Sequence, residues 1–302
     1  MLGTKVVHQK SHRLTQSITL HTFCTSEPLS FSWHPGNSLR MQLPSDIDLT
    51  ANYLSSDPSS RQVVFTPCAV RKACRTRETC DANESQKDQG SLWQIDFILR
   101  NGRLSSLIGT PRKPSLAAVV ENYASGFQDF ETITLWDTTN FAAIAGGTGI
   151  CPYLALSDTL NELNEVESKR RILLWSIRYN DLTFVKYVLD VRYLSLDQWS
   201  EIVIFVTSGA ESYCQSAHAL TVQIEKVRSE LPVENQSRLR FVHGRMMQEH
   251  LADAANNMDC TAGHYIFFCG GKGFQWQIKR WCLPRKLSVK IIQQPVDSTG
   301  KE

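Results

Sequence analysis

The chain has 302 residues, of which 42% are hydrophobic and 21% charged, with a formal net charge of +2. These proportions fit folded domains rather than wholesale disorder, and the length suits two domains of ordinary size. No long Lys/Arg block marks a nucleic-acid surface, and no apolar run approaches the roughly 18 residues of a membrane-spanning helix.

The N-terminal stretch MLGTKVVHQKSHRLTQSITLHTF is basic and has no acid before Glu27. Mitochondrial presequences share that composition. Against it, Lys5–His8 and Ile18–Phe23 read as short strands, and no apolar secretory region is present. The expected location is the cytoplasm, with a mitochondrial one as the alternative. Nine cysteines, at 24, 68, 74, 80, 151, 214, 260, 269 and 282, are odd in number and scattered, so they form no disulfide framework. Cys68, Cys74 and Cys80 have neither the Cys-x2-Cys spacing of metal loops nor a nearby His, and a reducing compartment is expected.

Residues 1–120 read as short strands broken by turns: Ile18–Phe23, Ser38–Leu43, Arg61–Phe65 and Leu92–Arg100, the last ending in the turn signal Asn101-Gly102. Polar stretches at 45–60 and 71–90 read as loops. This pattern predicts a small antiparallel β-barrel. Residues 135–302 have another rhythm. Strand 141–145, helix 151–167, strand 171–176, helix 182–190, strand 201–208, strand 238–243, helix 245–257 and strand 264–270 follow in turn. An amphipathic segment 273–282 and a last strand at 288–292 complete the series. Alternating apolar strands and helices predict a parallel sheet covered by helices, an α/β nucleotide-binding domain.

Gly146-Gly147-Thr148-Gly149 lies between a buried-looking strand and a helix with Pro152 in its first turn. Glycines allow tight curvature and close backbone approach to a pyrophosphate, and the helix N-terminus offers free N–H groups and a partial positive end. The spacing is not G-x-G-x-x-G, so no fixed acidic partner is required. Ser176 and Arg178, Gly244 and Arg245, and Cys269-Gly270-Gly271 follow three later strands. In an open parallel sheet the carboxyl ends of the strands form one ligand crevice. His34, His243 and His264 read as structural or surface residues.

With these motifs in view, the sequence resembles the ferredoxin–NADP reductase superfamily, which includes cytochrome b5 reductase-like and ferric-reductase-like domains. The resemblance is close over 141–283. FAAIAGGTGICPYLAL resembles the pyrophosphate loop, with Cys151 where Thr is usual. LLWSIRYNDLTF resembles the motif whose Ser and Arg meet the adenosine ribose or its 2′-phosphate. FFCGGKGF resembles the Cys-Gly-Pro motif, with Gly271 replacing Pro and Cys269 placed by the resemblance beside the nicotinamide.

Over residues 4–115 the resemblance is weaker. SWHPGNSLRMQL is similar to the family's Pro-Gly turn before a barrel strand. VVFTP, 63–67, is similar to its flavin motif, which implies that Phe65 flanks the isoalloxazine and Thr66 bonds near its reactive nitrogen. NGRLSS, 101–106, is similar to the Gly-x-x-Ser segment and implies flavin-phosphate contacts from Gly102 and Ser105. Val63 stands where the family has an arginine for the flavin pyrophosphate; Arg61, two residues away on the same strand face, is the substitute, with Arg103 and Arg112 as others. The usual acid-and-aromatic C-terminal ending is hard to find in SVKIIQQPVDSTGKE.

The resemblance thus implies a flavoprotein oxidoreductase with FAD and with NADPH or NADH. Hydride passes to the flavin, with Thr66 and Cys269 at the reacting groups. Electrons then pass to an acceptor that the sequence does not name: a small molecule, a haem protein or an iron–sulfur protein. NADPH is favoured because Arg178 and Ser176 suit a 2′-phosphate, with Arg245 a further candidate; Asp181 either competes for Arg178 or caps the next helix, and capping is the preferred reading. The alternative, motivated by Val63 and Gly271, is a non-catalytic nucleotide-binding or electron-transfer partner module with a degenerate flavin site.

Overall fold

The structure, a computed structural model, describes residues 3–44, 62–73, 92–111, 115–123, 140–163, 170–190, 194, 196–207, 217–230, 236–258, 265–285 and 287–291. Its first half holds seven strands: β1 (Thr4–Arg13), β2 (Ile18–Thr25), β3 (Ser38–Gln42), β4 (Gln62–Phe65), β5 (Ala69–Ala73), β6 (Leu92–Arg100) and β7 (Ala117–Tyr123). They form one antiparallel sheet in the order β4-β3-β7-β1-β2-β6-β5. Phe65 on β4 and Phe97 on β6 lie near opposite ends of that order, yet their ring centroids are 5.6 Å apart. The sheet therefore curls over a single core, which also takes Val6, Phe23, Leu39 and Met41. Helix α1 (Arg103–Gly109) adds Leu104 and Ile108 to the same core.

The strands read at 5–8 and 18–23 lie in β1 and β2, central strands of the sheet. This half departs from the sequence reading in two places. Arg71, expected in a loop, lies in β5, where it pairs at 3.0 Å with the fully buried Asp96 of β6. Strand β7, Ala117–Tyr123, is a further strand of this half that the sequence did not reveal.

The second half is a six-stranded parallel sheet in the order β11-β10-β9-β8-β12-β13. The strands are β8 (Phe141–Gly146), β9 (Arg171–Arg178), β10 (Glu201–Thr207), β11 (Leu239–His243), β12 (Tyr265–Cys269) and β13 (Ser288–Ile291). The helices are α2 (Cys151–Leu163), α3 (Leu182–Asp190), α4 (Ala217–Ser229), α5 (Gln248–Asn257) and α6 (Lys272–Cys282). Both faces of the sheet are buried, which is why its strands read as continuous apolar runs. Phe141, Ala143 and Ala145 of β8 enter one core with residues of α2 and α3, while Ala142 and Ile144 enter another with residues of α5 and α6.

The first of these cores crosses between the halves. It includes Ile18, Leu20, Cys68, Ala69 and Ile98 of the curled sheet beside Ile150, Cys151 and Leu154 of the parallel half. A continuous apolar contact of this kind fixes two domains in place more firmly than a linker alone. Among the described residues no helix is long and apolar enough to cross a membrane, and no cluster of His, Cys, Asp and Glu could hold a metal ion.

Candidate nucleotide-binding site

From β8 the chain moves outward through β9, β10 and β11, then returns to place β12 and β13 on the other side of β8. The order of strands reverses between β8 and β12, and ligand crevices in open α/β sheets form at such a point, beyond the carboxyl ends of the strands. Gly146 ends β8 there and Cys269 ends β12, with Ala145 and Cys269 facing each other in register.

Residues Gly147–Ile150 form a single tight turn that leads directly into α2. Gly147 has φ +56°, a conformation that favours glycine. Its carbonyl accepts a 3.0 Å hydrogen bond from Trp175 Nε1, which anchors the loop to β9. Gly149 meets a different demand. A Cβ there would lie 2.2 Å from the carbonyl oxygen of Cys269, so the loop sits directly on the end of β12. Gly270 likewise approaches the backbone nitrogen of Gly146, 3.2 Å from the position of its absent Cβ. Three of the motif's glycines therefore serve close packing of two strand ends, and Gly147 alone has both a left-handed backbone and an open side.

That open side is covered by a residue the sequence reading did not select. A Cβ on Gly147 would lie 2.9 Å from Arg100 Nη2. Arg100 is the last residue of β6, in the other half of the molecule, and its side chain is 41% exposed. Burial lowers its pKa from the ordinary value; Asp181 opposes that shift and Arg178 adds to it. Arg100, Arg178 and the glycine loop thus converge from β6, β9 and β8, a cationic arrangement beside the free N–H groups of a helix start. Thr148 is part of this loop and half-buried.

The remaining nucleotide-side residues are placed as follows. Ser176 pairs in register with Gly146, directly beside the loop, and Arg178 is exposed two residues further along the strand. Gly244 has φ +121° and Arg245 is exposed, but both follow β11, three strands from β8. At about 4.8 Å per strand that is roughly 14 Å from the loop, so Arg245 lies well apart from Gly147. Cys269 is fully buried and its thiol is raised well above the usual range, chiefly by burial, with Cys151 adding. The thiol lies in the core rather than on the crevice wall, so a direct part in chemistry does not follow from its position. Gly271 has φ −65° and ψ 153°, backbone angles that proline adopts, and a Cβ there would meet nothing. The backbone at Gly271 is therefore one that a proline could also occupy.

The flavin-side expectations fare differently. Phe65 is 9% exposed and packs against Phe97 inside the curled sheet, so its ring does not form a wall of a cleft. The physical cause is the strand's alternation, which turns this side chain into the core. Thr66 is buried at the link between β4 and β5, and its hydroxyl shares a 2.9 Å hydrogen bond with Ser38. Ser105, expected to meet flavin phosphates, is buried instead and bonds at 2.9 Å to His21 Nε2. His21 Nδ1 in turn contacts Ser11 at 2.8 Å, and Ser11 contacts His8 at 2.9 Å. Gly102 is exposed just before α1. Val63 is half-buried against the core; Arg61 and Arg112 lie outside the described residues, as does the side chain of Arg103. Of the histidines, His243 is exposed, His34 is half-buried and His264 lies outside the described residues.

Asp181 does not cap α3 as the local sequence suggests. It lies in the tight turn Tyr179–Asp181, is 1% exposed, and its carboxylate accepts hydrogen bonds from Thr15 Oγ1 at 3.0 Å and from Ser17 Oγ, both across the domain boundary.

No protein-family model matches this sequence, and no curated protein matches it. Solved structures do. A ferredoxin–NADP+ reductase from Neisseria gonorrhoeae, with bound FAD and NADP, superposes with a TM-score of 0.56 at 11% identity, covering 97% of this chain and 100% of that one. The FAD/NAD-binding domain of nitric oxide dioxygenase from Vibrio cholerae gives a TM-score of 0.55 at 11% identity, over 96% and 98% of the two chains. The CS-b5R domains of human Ncb5or, in an NAD+ form, give 0.53 at 12% identity, over 96% and 69%. What this chain shares with them is its fold, a curled antiparallel sheet followed by a helix-covered parallel sheet.

Proposed function

We propose that this chain is a flavin-dependent oxidoreductase that takes hydride from a nicotinamide dinucleotide and passes electrons to a further acceptor. One observation carries the reading: Arg100 of the curled sheet reaches over Gly147 of the parallel half, so both halves contribute to one crevice at the switch point. The left-handed glycine, the helix start and the two arginines suit the pyrophosphate of a dinucleotide. The neighbour from Neisseria carries bound FAD and NADP, and FAD with NADPH or NADH are the cofactors proposed here.

The residues fit the dinucleotide well. On the flavin side the fit rests on the backbone from Gly102 to Ser106 and on Thr66, which would hold the cofactor. FAD, when bound, supplies a hydride acceptor that can also release single electrons. The chain's own part is placement and charge compensation. The loop and the α2 N-terminus orient the phosphates, and Arg100 and Arg178 balance their charge. The contact of Gly149 with Cys269 O sets how deeply the loop can sit. No residue need act as general acid or base. Arg178, exposed and not engaged by Asp181, favours NADPH through its 2′-phosphate. The buried free thiols suit a reducing compartment such as the cytoplasm. The acceptor belongs to the class of small molecules, haem proteins or iron–sulfur proteins.

A second reading, a non-catalytic nucleotide-binding or electron-transfer partner module, is favoured by the burial of Phe65 and by the Ser105–His21 bond. The visible spectrum of the purified chain separates the two. A flavin band that bleaches on addition of NADPH supports the enzyme. A colourless protein that takes up no FAD, yet binds a dinucleotide, supports the module.

A further inference from the structure

Asp181 is a buried acid that neither the core nor the proposed redox chemistry requires. It sits between β9 and α3, and among the described residues its side-chain partners Thr15, Ser17 and Arg100 all lie in the other half of the molecule. Thr15 Oγ1 accepts a 3.0 Å hydrogen bond from the Ser17 N–H, which leaves its own proton for Asp181 Oδ1, and Ser17 Oγ donates to the same oxygen. Asp181 Oδ2 faces Arg100 Nη2 at 3.8 Å. The seam around it is closely tied. Thr183 Oγ1 donates to Leu14 O at 3.2 Å, Asn101 N–H to Ser17 O at 2.6 Å, and Asn101 Nδ2 to Gln16 O at 2.7 Å. The β1–β2 hairpin, the end of β6 and the start of α3 thus form one unit, with Asp181 at its centre.

We infer that Asp181 is a positioning residue that latches the hairpin to the parallel half and holds Arg100 at the glycine loop in competition with an incoming pyrophosphate. This rests on the nucleotide reading of the loop. The two oxygens divide the work. Oδ1 takes both hydroxyl donors at the seam. Oδ2 contacts Arg100 at a separation beyond hydrogen-bond range, and the exposed guanidinium can exchange that contact for shorter bonds to phosphate oxygens. Removing the charge should therefore release Arg100 to the ligand, while removing the acceptor should loosen the seam.

Two variants and one background separate these tasks. Asp181→Asn keeps an oxygen for Thr15 and Ser17 and removes the charge. Calorimetric titration with NADP+ should show binding about twofold to fivefold tighter than wild type, the range of a weak ion pair whose arginine is open to solvent. The gain should vanish when Arg100→Ala is already present, a non-additive result expected only if the two side chains interact. The double variant Thr15→Ala/Ser17→Ala should leave NADP+ affinity without that gain, yet speed amide exchange at residues 14–17 and 181–183. Unchanged affinity in Asp181→Asn, or a gain that persists without Arg100, overturns the competition. Unchanged exchange in the double variant overturns the latch. A wild-type chain that binds neither NADP+ nor NAD+ overturns the functional reading and the competition with it, while the exchange measurement still decides the latch.

Discussion

Arg100 Nη2 and Gly147 meet across the domain boundary, with the guanidinium 2.9 Å from the point where a side chain on Gly147 would begin. The glycine is left-handed and its neighbour is the end of a flexible side chain, so the space is open to a ligand at the cost of moving one arginine. Gly147→Val should weaken dinucleotide binding at least tenfold, since it strains the backbone and fills that space. Flavin content should be unaffected. Titration with NADP+ tests this, and wild-type affinity would remove the loop from the site.

Gly149→Ala should behave differently although it lies in the same motif. Its Cβ would fall 2.2 Å from Cys269 O, a backbone atom with no freedom to turn aside. Loss of stability of about 1–3 kcal/mol is expected, the usual range for overpacking. Thermal unfolding of the two glycine variants side by side would show it. An unshifted midpoint for Gly149→Ala would contradict the close approach of loop and β12.

Arg178→Ala should lower kcat/KM for NADPH much more than for NADH, measured with an artificial acceptor. Arg178 lies one strand from the loop, whereas Arg245 follows β11 at the far side of the sheet. Arg245→Ala is therefore expected to change the NADPH:NADH ratio less. An unchanged ratio in Arg178→Ala would mean that it does not read the 2′-phosphate.

Gly271→Pro should stabilise the chain by about 0.4–1 kcal/mol, because the native φ of −65° already matches proline and the unfolded chain loses freedom. Dinucleotide binding should be retained. A fall in the unfolding midpoint would show that the departure from Cys-Gly-Pro reflects a backbone proline cannot adopt.

His21 makes stability depend on pH. Burial, with His8 adding, lowers its pKa to about 4, against about 6.5 in an unfolded chain. The folded state keeps the ring neutral while the unfolded state takes up a proton. The contribution is therefore complete above the unfolded value and falls as the pH drops from about 6.5 towards 4, by at most ~1.4 kcal/mol per pH unit. Unfolding midpoints across that window should decline in wild type and decline less in His21→Asn. Equal slopes would assign the acid sensitivity to other groups.

The parallel half was legible because both faces of its sheet are covered. Strands β8 and β12 are apolar almost throughout and glycines mark where they stop, and β9 has the apolar centre ILLW. Strands β5 and β7 were missed for physical reasons: AVRKA is a short strand at the sheet edge with two charged residues, and AAVVENY shows little alternation. Helix α4 follows a polar stretch and carries only a modest apolar face. Phe65 and Ser105 occupy motif positions, but core packing and a histidine network take their side chains inward. Arg100 and Asp181 show the limit most plainly. Local sequence presents one as a strand end and the other as a helix cap. Asp181 finds Thr15 from 166 positions away, a relation only the assembled fold creates.

The core shared by the two halves also encloses Cys68, Cys151 and Cys269, all of them free thiols. Burial raises Cys151 to about 12 and the other two well above the ordinary range, so none forms a thiolate near neutrality. Alkylating reagents attack the thiolate and need access to it, and both are denied while the halves stay together. The rate at which these cysteines become labelled in the native protein therefore serves as a built-in clock for separation of the halves, read by mass spectrometry without an added probe.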